Sequence, residues 1–129
     1  MGRIIAQVKV SNPFEEDKTL EFSALVDTGA GALVLPMAWK EKLGHFKNSE
    51  PVELMVATET AVMGEVCGPV KIQVQPFRPV FNEVVFLPME KTEDSDYEPL
   101  LGYVILEQIP VAIDMLGHRL VKIKAIDCK

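Results

Sequence analysis

The chain has 129 residues, of which 48% are hydrophobic, and a formal charge of −6. That length fits one domain over residues 1–129 with a core of its own, and the hydrophobic content excludes an intrinsically disordered chain. The acidic balance argues against a nucleic-acid partner, which requires a basic footprint, and no apolar run approaches the roughly 20 residues of a membrane-spanning helix.

The start, Met1-Gly2-Arg3-Ile4-Ile5-Ala6, lacks the long apolar core of a secretory signal. It also lacks the Ser or Thr that myristoylation of Gly2 would need at Ala6, so no membrane association is expected and the default location is cytoplasmic. Two cysteines stand far apart, Cys67 within a predicted strand and Cys128 near the end. Reduced thiols are the expectation, with a disulfide the alternative.

Arg3 to Val10 alternates as a first strand, with Ile4, Ala6, Val8 and Val10 on one side. Ser11-Asn12-Pro13 and the charged Glu15-Glu16-Asp17-Lys18 read as a turn and a solvated hairpin loop. Leu20 to Val26 is then the returning strand. It ends in Ala24-Leu25-Val26-Asp27-Thr28-Gly29-Ala30, where an apolar run delivers one carboxylate into a turn of small residues. Such a carboxylate needs hydrogen bonds, and the backbone N–H groups near Gly29 are placed to supply them.

Ala32 to Leu35 reads as another short strand, and Pro36 opens a helical segment, Met37 to Leu43, with Gly44 as its stop. Trp39 and Leu43 share a face and are expected in the core, whereas His45 is read as a loop residue. Val52 to Ala57 and Ala61 to Val74 form a candidate hairpin with Thr58-Glu59-Thr60 at its tip. Gly64 and Gly68-Pro69 suggest bends in the second strand. Pro76 to Pro79 interrupts the pattern, Val84 to Leu87 is a buried strand, and Lys91 to Glu98 is a polar loop. Pro99-Leu100-Leu101-Gly102 resumes apolar structure, Tyr103 to Gln108 reads as a short helix, and Val111 to Ile123 as a last hairpin. The fold class is therefore all-β with one or two short helices.

At Asp27-Thr28-Gly29-Ala30, preceded by two apolar residues, the chain resembles the retropepsin-like aspartic proteases. Leu100-Leu101-Gly102 followed by a short helix is similar to the second signature of that family, which packs beneath the catalytic turn. The hairpin around Thr58-Glu59-Thr60 stands where the family has its flap. The resemblance implies a closed β-barrel with a flap hairpin, working as a two-fold homodimer. It also implies an aspartic endopeptidase acting on peptide or protein substrate in extended conformation, with no metal and no cofactor.

Hydrolysis by this route uses two carboxylates that share one proton, one acting as base toward water and the other as acid toward the carbonyl oxygen. The chain holds one Asp-Thr-Gly, because Asp94, Asp96 and Asp114 lack a comparable turn, so the second carboxylate comes from a second copy. By resemblance, Asp27 is catalytic, Thr28 hydrogen-bonds across the axis, and Gly29 supplies a backbone donor. Ala30, Ala57, Thr58, Glu59, Thr60 and Ala61 would contact substrate. Viral members pair an acidic residue and an arginine at the positions held here by Gly31 and Tyr103, so dimerisation must use other contacts. Two alternatives remain open: an inactive retropepsin-like dimerisation or peptide-binding module, and an unrelated small β-barrel in which Asp27 caps a turn.

Overall fold

A computed structural model describes residues 3–55, 58–92, 96–109 and 111–122. Among them the chain is mostly β. Strand β1 (Ile5–Asn12) pairs with β2 (Glu15–Val26), and β3 (Leu33–Pro36) leads into a 3-10 helix, Met37–Leu43. There follow β4 (Asn48–Met55), β5 (Ala61–Val74), β6 (Val80–Leu87), the two-residue β7 (Leu100–Leu101) and α1 (Tyr103–Gln108). The hairpin β8 (Val111–Asp114) and β9 (Arg119–Lys122) forms a sheet of its own.

The main sheet runs β1-β2-β7-β3-β6-β5-β4, and β5 also pairs with β1 through Val8↔Val74 and Val10↔Ile72. The succession of pairings thus returns to its first strand, leaving β4 outside it. Alternation decides which side chains turn inward. Val8 and Val10 of β1, Ile72 and Val74 of β5, and Leu33 and Leu35 of β3 are all buried. Each such chain taken fully from water contributes about 1.5–3 kcal/mol. Leu101, Ile105 and Ile109 fill the same core, so β7 and α1 are anchored from inside.

Several predicted boundaries shift. The charged residues Glu15 to Lys18 belong to β2, not to a loop, and the turn is Pro13-Phe14 alone. The buried Asn12 explains this tight corner: its side chain donates to Leu43 O (2.8 Å) and His45 O (2.6 Å) and accepts from Phe14 N (2.9 Å). Glu15 adds a bond from His45 N at 2.8 Å. Gly44 has φ of +75°, and a side chain there would strike the Glu15 carboxylate. Strand β4 starts at Asn48 because its ladder continues to Gly68, and β6 starts at Val80 because it pairs with Ile72. The segment Met37–Leu43 is helical as expected but of the 3-10 kind, with Leu43 buried and Trp39 packed against the core.

Cys67 lies fully buried in β5, and burial pushes its thiol pKa up. Cys128 falls outside the described residues, as does Ile123 of the last hairpin. No helix of the described residues is long and apolar enough to cross a membrane.

Candidate active site

Asp27 follows the last residue of β2, where backbone pairing holds the chain on both sides. Strand β7 inserts between β2 and β3, parallel to the first (Leu25↔Leu100, Val26↔Leu101) and antiparallel to the second (Leu33↔Leu101, Val34↔Leu100). The two strands flanking the acidic turn are therefore separated by the segment that carries the second apolar-apolar-Gly motif. Asp27 N donates to Leu101 O at 3.0 Å, which ties the acidic residue directly to that segment.

Within the turn, Gly29 N donates to Asp27 Oδ1 at 2.9 Å and Ala30 N to Asp27 O at 3.0 Å. A Cβ on Gly29 would lie 3.1 Å from Asp27 Oδ1, so glycine leaves the carboxylate room as well as a donor. On the far side, Tyr103 N donates to Ala30 O (3.0 Å) and Val104 N to Gly31 O (3.1 Å). These donors are the free N–H groups at the start of α1, spent on the carbonyls of the acidic turn. Gly102 permits that approach. A Cβ there would collide with Ala32 O and lie 2.6 Å from Ala30 O and Ala32 N.

The turn opens into a cleft of about 780 Å³. Asp27, Gly29 and Ala30 form one wall, and Leu54 and Met55 from the end of β4 reach it from the hairpin side. Its floor is apolar, with Val34, Val66, Val85 and Leu100 from four different strands. Asp27 is half-buried while Thr28 and Gly29 are exposed, so one copy presents its turn outward.

The hairpin tip is different in character. Thr58, Glu59, Thr60 and Ala61 are all exposed, Glu59 has φ of +62°, and Thr58 Oγ1 donates to Thr60 Oγ1 at 3.3 Å. None of these four lines the cleft in a single copy, and Ala57 falls outside the described residues. Of the cleft residues, Leu100 belongs to the second motif, whereas Leu54, Met55, Val34 and Val85 had no motif to mark them and are brought together by strand pairing. Gly31 and Tyr103 do meet: a Cβ on Gly31 would be 3.8 Å from Tyr103 Cε1, so a ring occupies the place beside the turn.

Below the hairpin, Glu65 of β5 bonds Lys40 of the 3-10 helix and accepts from Ser49 Oγ at 2.9 Å. The Lys40 ammonium, then the Ser49 hydroxyl, hold the Glu65 carboxyl below its ordinary value.

No family model matches this chain, and no curated protein matches it. Among solved structures it is similar to EIAV protease complexed with the inhibitor HBY-793. The two are 18% identical with a TM-score of 0.60, and the match covers 83% of this chain and 88% of that one. At that identity the likeness concerns the backbone. The fold of this chain is retropepsin-like.

Proposed function

We propose that the protein is a homodimeric aspartic endopeptidase in which Asp27 of two copies forms the catalytic pair. The observation that carries this reading is the acidic turn itself: an aspartate whose backbone is held by the inserted β7 and by α1, beside a cleft with an apolar floor. The likeness to an inhibitor-bound protease supports it. The return of the strand pairings from β5 to β1 supports a closed barrel. The dimer follows from chemistry, because one copy offers one such carboxylate and the reaction needs two.

One Asp27 takes a proton from water as its oxygen attacks the peptide carbonyl carbon, while the other gives a proton to the carbonyl oxygen. The tetrahedral diol then collapses: one hydroxyl returns its proton to one Asp27 as the carbonyl re-forms, the other Asp27 protonates the nitrogen, and the C–N bond breaks to release the amine. Gly29 keeps each carboxylate oriented. The segment Thr58 to Ala61, with Ala57, covers the extended substrate and pairs with its backbone. Thr28, exposed beside Asp27, bonds across the two-fold axis.

Cleavage of a peptide library by wild type and by Asp27→Asn tests the reading. Loss of at least about a thousandfold in rate, with circular dichroism unchanged, is the expected result. The second reading, an inactive binding module, draws on Tyr103 lying against Gly31 where viral relatives have an ion pair. It predicts a peptide-binding protein that cleaves nothing.

A further inference from the structure

The cleft does not end at its apolar floor. Directly opposed residues of neighbouring strands project to the same face of a sheet. The register sets Leu100, Val34, Val85, Val66 and Glu50 in one row across β7, β3, β6, β5 and β4. The first four line the Asp27 cleft; the fifth lines an adjoining hollow of about 630 Å³. The two hollows share Val66, Asn82 and Glu83. Glu83 stands two residues before Val85 on β6 and so projects to the same face.

A break in the β5–β6 register between Cys67 and Val70 makes room for it. A Cβ on Gly68 would be 3.3 Å from both Cα and Cγ of Glu83. Asn82 fixes the backbone there, accepting from Glu83 N (2.6 Å) and donating to Gln108 Oε1 (2.5 Å) at the end of α1. The start of α1 is bonded to the acidic turn, so one six-residue helix spaces Glu83 from Asp27. No lysine or arginine among the described residues lines either hollow. Among the described residues, the carboxylates in ion pairs are Glu98, Glu65 and Asp114, none of them here.

We propose that Glu50 and Glu83 form an outer subsite that selects a lysine or arginine side chain of the substrate. This rests on the proteolytic reading and adds a substrate class to it: peptides apolar around the scissile bond and basic farther out. The helix spans about 9 Å, or roughly three residues of extended chain. The row from Leu100 to Glu50 crosses four strand spacings of about 4.8 Å, which sets an outer limit of about six residues on a curled sheet. The two oxygens of a carboxylate match the fork of a guanidinium, so arginine is preferred over lysine. A metal is a poorer occupant, since no group of three or more His, Cys, Asp or Glu is clustered among the described residues. In a two-fold dimer the subsite occurs at both ends of the cleft.

The test uses fluorescent peptides of about ten residues, apolar at the centre, with Arg, Ala or Glu at each outer position. Binding is measured on Asp27→Asn, which holds substrate without turnover, and on the same protein carrying Glu50→Gln and Glu83→Gln. The Arg peptide should bind roughly tenfold tighter than the Ala peptide at one outer position, and less so in high salt. The Glu peptide should bind more weakly than the Ala one, and the Gln variant should bind the Arg and Ala peptides equally. Equal binding of Arg and Ala at every position, a preference that survives both substitutions, or no binding at all would overturn the proposal. Cleavage by the protein with Asp27 intact separates the two readings. Cleavage without an Arg preference keeps the protease and removes the subsite; an Arg preference in binding without cleavage keeps the subsite and removes the protease.

Discussion

The acidic turn, which lines the cleft, and the hairpin tip, which in one copy does not, are held in opposite ways. The turn is bounded by backbone bonds on every side: Leu101 O accepts from Asp27 N, and Tyr103 N and Val104 N donate to Ala30 O and Gly31 O. No side chain has to choose a rotamer for that arrangement to persist. The described tip residues, Thr58 to Ala61, are all exposed, and their side-chain bond is the single Thr58–Thr60 contact at 3.3 Å. The proposed function would use both: a carboxylate that must meet its mate within hydrogen-bond reach benefits from a fixed backbone, and a lid over substrate from a loosely held one.

Gly102→Ala should do the greatest damage to the rigid side of that contrast. Its Cβ would press on three backbone atoms that cannot rotate away, a cost of about 2–3 kcal/mol in urea unfolding, with cleavage reduced as the turn shifts. A loss under about 0.5 kcal/mol would mean that the turn yields, and the contrast would collapse.

The stem of the hairpin lies between the two extremes, pinned by Glu65 to Lys40 and Ser49. A carboxyl held below its unfolded value of 4.5 adds stability that is fully present above that pH and is lost as pH falls through the lower folded value. Wild type should therefore lose stability relative to Glu65→Gln as the solution is acidified below about 4.5. Because both side chains are about a third exposed, salt should shrink the difference. Parallel melting curves for the two proteins across that range would show that the stem is not pinned by this pair.

Thr60→Ala should have the smallest effect, moving stability by less than about 0.5 kcal/mol while changing peptide affinity. A stability loss as large as that of Gly102→Ala would show the tip to be as firmly built as the turn.

Much of this was legible in the sequence because it is local. The period-2 pattern of Ile4, Ala6, Val8 and Val10 marks the buried side of β1 and of the residue before it, and β5 and α1 have the spans that their apolar patterns suggest. The family likeness of Asp27-Thr28-Gly29-Ala30 and Leu100-Leu101-Gly102 pointed to a turn with a second motif beneath it, and the two segments do meet through Asp27 N and Leu101 O. What stayed hidden depends on residues far apart in the chain. Nothing local says that Asn12 will satisfy the carbonyls of Leu43 and His45 and so keep Glu15 to Lys18 in a strand. Glu50 and Glu83 belong to no motif, and only the β4–β5–β6 register sets them beside one hollow.

The central claim is that each active unit needs Asp27 from two copies. Its most direct test is to titrate Asp27→Asn into wild type at fixed total protein, above the dimer dissociation constant, and follow peptide cleavage. The account predicts activity falling as the square of the wild-type fraction, to about a quarter in an equal mixture, because a mixed dimer has one working carboxylate. Activity falling in simple proportion to the wild-type fraction would mean that each chain cleaves alone, and would contradict it.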